Sequence, residues 1–138
     1  MSHIVKGRIA VGYTDKENLV NALTGGNQLP PLGKVFQDAP LYRVGAGMTR
    51  ETYDLVLVDA SKDKNRLGFS QERGIWQQFQ EDYGSVGEWT RKMSALIQDR
   101  YLAFHYEKQA IEQGYNAQIV TMPNGGFEVH AEEALATW

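Results

Sequence analysis

The sequence predicts an α+β fold: a mostly antiparallel sheet, one short N-terminal helix, and one long helix before a C-terminal β-hairpin. Three observations predict it. After Ser85, the residues Val86, Trp89, Met93, Leu96, Ile97, Tyr101, Phe104 and Ile111 recur mostly three or four apart, the stripe of an amphipathic helix. Asn124-Gly125-Gly126 separates two strand-like segments, residues 118–122 and 127–130, as a tight hairpin requires. Leu55-Val56-Leu57-Val58 is a continuous apolar run suited to a buried central strand.

In chain order, residues 3–11 form a first strand rich in β-branched side chains, with Lys6 and Arg8 on one face. Thr14 and Glu17 have capping-box spacing and open a short helix to about Leu23, where Gly25-Gly26 stops it. Its buried edge is Leu19, Val20 and Leu23. Pro30-Pro31 marks residues 27–33 as a loop, and residues 34–44 form a second strand that Pro40 interrupts, an edge or bulge position. Gly45-Ala46-Gly47 is flexible, residues 48–51 are turn-like, and residues 53–59 carry the apolar run. Residues 61–66 read as a charged turn, and Arg73-Gly74 closes a hairpin between residues 67–71 and 75–82. Ser85 and Glu88 form a second capping box at the head of the long helix, and Gly114 ends it. As one piece, that helix would span about 42 Å at 1.5 Å per residue. A compact chain of this size is about 37 Å across. The helix therefore either breaks, near Gln98-Asp99-Arg100, or projects and packs on a second subunit.

With 138 residues and no repeat or linker, one domain over residues 1–138 is expected. The chain has no cysteine, which excludes disulfides, thiolate catalysis and cysteine zinc sites. No apolar run approaches a membrane span, and the first residues lack an apolar signal core, so a cytoplasmic protein is expected. A net charge of −3 argues against a general nucleic-acid binder. Beyond Lys108 there is no Lys or Arg, while Glu112, Glu128, Glu132 and Glu133 follow, so that end is an acidic, solvated face.

Searching for chemistry yields little. His3, His105 and His130 are not at metal-ligand spacing, and His105 and His3 read as hydrogen-bonded structural residues. No nucleophile elbow, P-loop or dinucleotide fingerprint occurs. The acid pairs Glu81-Asp82 and Glu132-Glu133 read as water-facing. Neither a metal nor a cofactor is expected. For an anionic ligand, the contacts would be Arg43, Arg50, Lys62, Arg66 and Arg73. Counting Lys64 with them, six cations face Glu51, Asp54, Asp59, Asp63 and Glu72, a net of about +1 that also describes a mixed solvated surface. Tyr42, Tyr53, Phe69, Trp76, Phe79 and Tyr83 lie on or beside strands, where they either stack bases or fill the core.

Several segments carry a resemblance. They are Met1-Ser2-His3-Ile4, Leu55-Val56-Leu57, Leu67-Gly68-Phe69, Arg100-Tyr101-Leu102-Ala103, and Ala110-Ile111-Glu112-Gln113-Gly114-Tyr115 running into Pro123-Asn124-Gly125-Gly126-Phe127-Glu128-Val129, with Trp138 at the end. Together they resemble the hypothetical chloroplast reading frame thirty-five family, small uncharacterised proteins of algal plastids and cyanobacteria with bacterial and phage relatives. The resemblance is strongest over residues 100–129, and residues 21–50 depart from it. It implies no catalytic motif. A phage-encoded relative would work in host cytosol, a plastid-encoded one in the stroma.

The function expected is a non-enzymatic binding or accessory protein. It self-associates through Trp89, Met93, Tyr101, Phe104 and Trp138 and sequesters a small anionic nucleotide or binds a host protein. A single-stranded nucleic-acid binder or small enzyme without a recognisable motif is the alternative.

Overall fold

The computed structural model describes residues 4–7 and 12–133. Along them run β1 (Ile4–Lys6), α1 (Lys16–Thr24), β2 (Lys34–Ala39), β3 (Tyr42–Arg43), β4 (Gly47–Met48), β5 (Tyr53–Asp59), β6 (Lys62–Glu72), β7 (Ile75–Glu81), α2 (Gly84–Glu112), β8 (Tyr115–Thr121) and β9 (Phe127–Glu133). The class matches the expectation; residues 34–44, expected as one strand, form β2 and β3 on either side of Pro40, and Gly47–Met48, expected to be flexible and turn-like, pairs with β3 as β4. Of the first strand, only Ile4–Lys6 is described as β1; His3 and residues 8–11 lie outside the described residues.

The main sheet has five strands in the order β1-β7-β6-β5-β2, every pair antiparallel. Arg73 and Gly74, with φ of 53° and 81°, form the two-residue reversal between β6 and β7. Side chains alternate between its faces. Leu55, Leu57, Leu67, Phe69 and Trp76 meet Tyr13, Leu19, Leu23, Ile97 and Tyr101 from the helical side. On the other face, Val56 and Val58 pack with Leu41, Tyr53 and Phe79. Gly68 lies beneath Tyr53: a Cβ there would stand 2.9 Å from the ring's Cγ, so a side chain would displace the tyrosine.

Both helix starts differ from the expected capping boxes. Asp15, not Thr14, caps α1, its Oδ1 accepting from the Asn18 N–H at 3.1 Å. The N–H groups of Thr14 and Asp15 both donate to Tyr101 Oη, at 3.1 and 3.0 Å, so α2 fixes the entry to α1. At α2 the N-cap is Tyr83, without a side-chain bond, and Ser85 lies inside the helix, accepting from Lys62 Nζ at 3.3 Å. Glu81 organises this entry. Its carboxylate accepts from Tyr83 N–H at 3.2 Å and Val44 N–H at 2.9 Å and is buried, contrary to its water-facing reading, whereas Asp82 beside it is exposed.

The charged residues 62–66 are strand rather than turn. The Asp59 carboxylate gathers Ser61 N–H at 3.0 Å and Asn65 Nδ2 at 3.1 Å, which tightens the reversal to Ala60-Ser61 and lets β6 begin at Lys62. Nor does α2 break. It runs 29 residues without interruption, about 44 Å. The polar triplet that reads as a break is satisfied by other means. Gln98 Nε2 donates to Ser94 Oγ at 3.3 Å, and the buried Arg100 donates to the Ala22 carbonyl at 2.9 Å and to that of Pro30. Burial pushes the Arg100 pKa down, since no carboxylate accompanies the charge into the core.

Candidate functional site

Beyond Tyr101, α2 continues for roughly 16 Å. That stretch has three sides. One meets α1: Phe104 is buried, and Lys108 Nζ lies 2.9 Å from Asp15 Oδ2 and 3.9 Å from Glu17 Oε2. The second carries the C-terminal hairpin, which stands outside the main sheet as a two-stranded sheet of β8 and β9. Ile119 is its buried residue, packed with Ala103 and Phe104, and Phe127 and Val129 are half-buried beside them. The third side is open. Asp99, Leu102 and Tyr106 follow one another at helical spacing there, and with Phe127 and Val129 they line a groove of about 600 Å³. Tyr106 is 54% exposed at its rim.

The hairpin's two edges differ. The Ile119 N–H turns away from β9 and donates to Gln28 Oε1 at 3.1 Å, while Gln28 Nε2 donates to the Glu107 carboxylate. The β8 edge is thus tied to the loop after α1 and to α2. Ile119 and Val129 face each other across the ladder, so Val129 is also in a pair without mutual hydrogen bonds. Alternation then places the N–H and C=O groups of Phe127, Val129, Ala131 and Glu133 on the outer edge of β9. Among the described residues, nothing bonds to them. This free edge borders the groove.

Charge follows the same alternation. Phe127 and Val129 face α2, whereas Glu128, His130 and Glu132 share the outward face of β9. His130 Nε2 lies 3.0 Å from Glu128 Oε1. Of the acidic end read from the sequence, Glu128 and Glu132 therefore lie on the outer surface of this hairpin, while Glu112 ends α2.

The residues expected to bind an anion are not all brought together. Lys62 and Arg73 stand at opposite ends of β6, roughly 36 Å apart along an extended strand. Arg66 is engaged, donating to Asp63 Oδ1 at 2.8 Å and to the Pro40 carbonyl at 3.1 Å. Arg43 pairs with Gly47 in the small β3–β4 ladder, and Arg50 is exposed beyond it. The self-association set divides too. Tyr101 and Phe104 are buried inside the chain, Trp89 and Met93 are half-buried against the same core, and Trp138 lies outside the described residues. Length alone no longer demands a second subunit, because the chain's own hairpin covers part of α2.

Of the aromatic residues, Phe69 and Trp76 are core, and Tyr53 and Phe79 stack on each other with centroids 5.2 Å apart. Tyr83 is the exposed one of the expected six, at 62%. His105, expected to be a structural residue beside the apolar stripe, is exposed, its ring against Tyr106 with centroids 5.3 Å apart. No cluster of three His, Asp or Glu side chains among the described residues is placed to hold a metal. No described helix is long and apolar enough to cross a membrane. No family model matches the chain, nor does any curated protein or solved structure.

The free β9 edge escaped the sequence reading. The alternation of Glu128, His130 and Glu132 marks the outward face in retrospect, but the exclusion of the hairpin from the main sheet is a long-range outcome without a local signal.

Proposed function

We propose that the chain is a non-enzymatic binding or accessory protein that holds a protein partner in the groove between α2 and its C-terminal hairpin. The observation that supports this best is the open apolar groove bordered by an unpaired strand edge, with Tyr106 exposed at its rim. Exposed apolar surface rimmed by polar residues marks sites of protein interaction or ligand binding. The separation of Lys62 from Arg73 along β6 favours the protein partner over a small anion held by all five basic residues.

A photo-activatable phenylalanine analogue at Tyr106, introduced in the native host, tests the proposal. A discrete cross-linked partner from position 106, absent when the analogue replaces Arg50, is expected. No adduct, or the same adducts from both positions, would overturn it.

A further inference from the structure

We infer that the free edge of β9 takes up an extended segment of its protein partner, one whose side chains alternate between apolar and basic. This rests on the groove being the binding surface, and it specifies what lies there. Three features agree on the occupant. The outward N–H and C=O groups of Phe127, Val129, Ala131 and Glu133 can pair with one further strand, since the opposite edge of the hairpin is closed at Ile119 by Gln28. A strand added there has alternate side chains directed toward α2, into the groove floored by Leu102 and Tyr106 beside Phe127 and Val129. Apolar residues fill those positions. Its other side chains come level with the carboxylates of Glu128, which His130 already contacts, and Glu132, and no Lys or Arg follows position 108. Lysine or arginine fits there, because cross-strand neighbours of opposite charge stabilise a sheet and like charges oppose it.

A second copy of this chain is the poorer occupant. Its own β9 would bring Glu128, His130 and Glu132 to that face and none of the lysine or arginine that the edge calls for.

The probe is a short capped peptide alternating valine with lysine, titrated into the isotope-labelled full chain and followed by NMR. Shift changes and slowed exchange at the amides of Phe127, Val129, Ala131 and Glu133 are expected, and a peptide with glutamate for lysine should bind roughly tenfold more weakly or not at all. Two changes test the edge itself. Ala131→Pro removes an outward N–H while leaving the bonds to β8, and N-methylating the peptide's alternate amides blocks pairing without altering the protein. Each should weaken binding by about tenfold. The inference is overturned by no binding, by shifts confined to other elements, by equal binding of the glutamate peptide, or by indifference to both changes. Concentration-dependent shifts at the same amides without peptide would assign the edge to a second copy and also overturn it. A cross-link at position 106 that persists through any of those results leaves the groove as a binding surface and removes only the strand-pairing partner.

Discussion

The backbone N–H of Ile119 donates to Gln28 Oε1 at 3.1 Å, and this one bond ties the hairpin's inner edge to the loop after α1. With Gln28 also donating to Glu107, a single side chain joins loop, long helix and hairpin. The other edge, along β9, has no such partner among the described residues. The asymmetry makes one side of a two-stranded sheet structural and leaves the other available.

Gln28→Ala should therefore loosen the hairpin without disturbing the main sheet. Loss of these bonds is expected to cost about 1 kcal/mol, with the Ile119 N–H freed to exchange. Hydrogen exchange by NMR reads this directly: faster exchange at Ile119 and its neighbours in β8, and unchanged protection in β5, β6 and β7.

Arg100 is the clasp between α2 and the α1 loop. Its guanidinium is buried and bonds the Ala22 and Pro30 carbonyls. Truncation to alanine leaves a cavity and strands two buried acceptors, a cost of about 3 kcal/mol. Urea denaturation should show the midpoint falling accordingly, with α1 the element most exposed to exchange.

Asp15 supplies a pH dependence. Lys108, hydrogen-bonded to it, holds its carboxyl below the ordinary aspartate range, with the Asn18 N–H assisting against partial burial. A depressed folded pKa stabilises the protein above the unfolded value of about 3.9, and the contribution is lost as pH falls through the lower folded value. Both side chains are about a third exposed, at 34% for Asp15 and 37% for Lys108, so solvent screening keeps the effect modest. Asp15→Asn retains a cap oxygen and removes the charge. Its stability should fall less steeply than wild type on acidification below about pH 4, in urea melts compared across the acid range. Parallel curves would contradict the pairing.

What the sequence made legible was local chemistry. The apolar run Leu55–Val58 sits inside β5, whose bounds Tyr53–Asp59 match those expected, and Arg73-Gly74 lies at its predicted hairpin turn. Gly25 and Gly114 end the helices as read. What failed depended on distant partners. Gln98-Asp99-Arg100 resembles a break because three polar residues interrupt an apolar stripe; in the fold Arg100 finds carbonyls contributed by α1 and the loop after it. Glu81 looks like a solvent-facing acid until the backbone of Val44 comes to meet it. The expected anion contacts lie close in sequence, but strand geometry spreads them along β6 and the small β3–β4 ladder. Acidity at the C-terminal end was plain from composition, whereas the open edge beneath it follows only from the hairpin's docking on α2.

Amide exchange along β9 in the isolated full chain is the most direct test. The account predicts an alternating pattern, with Glu128, His130 and Glu132 protected by their bonds to β8 and Phe127, Val129, Ala131 and Glu133 exchanging fast. Uniform protection along β9 would mean that another strand already occupies the edge, and would contradict it.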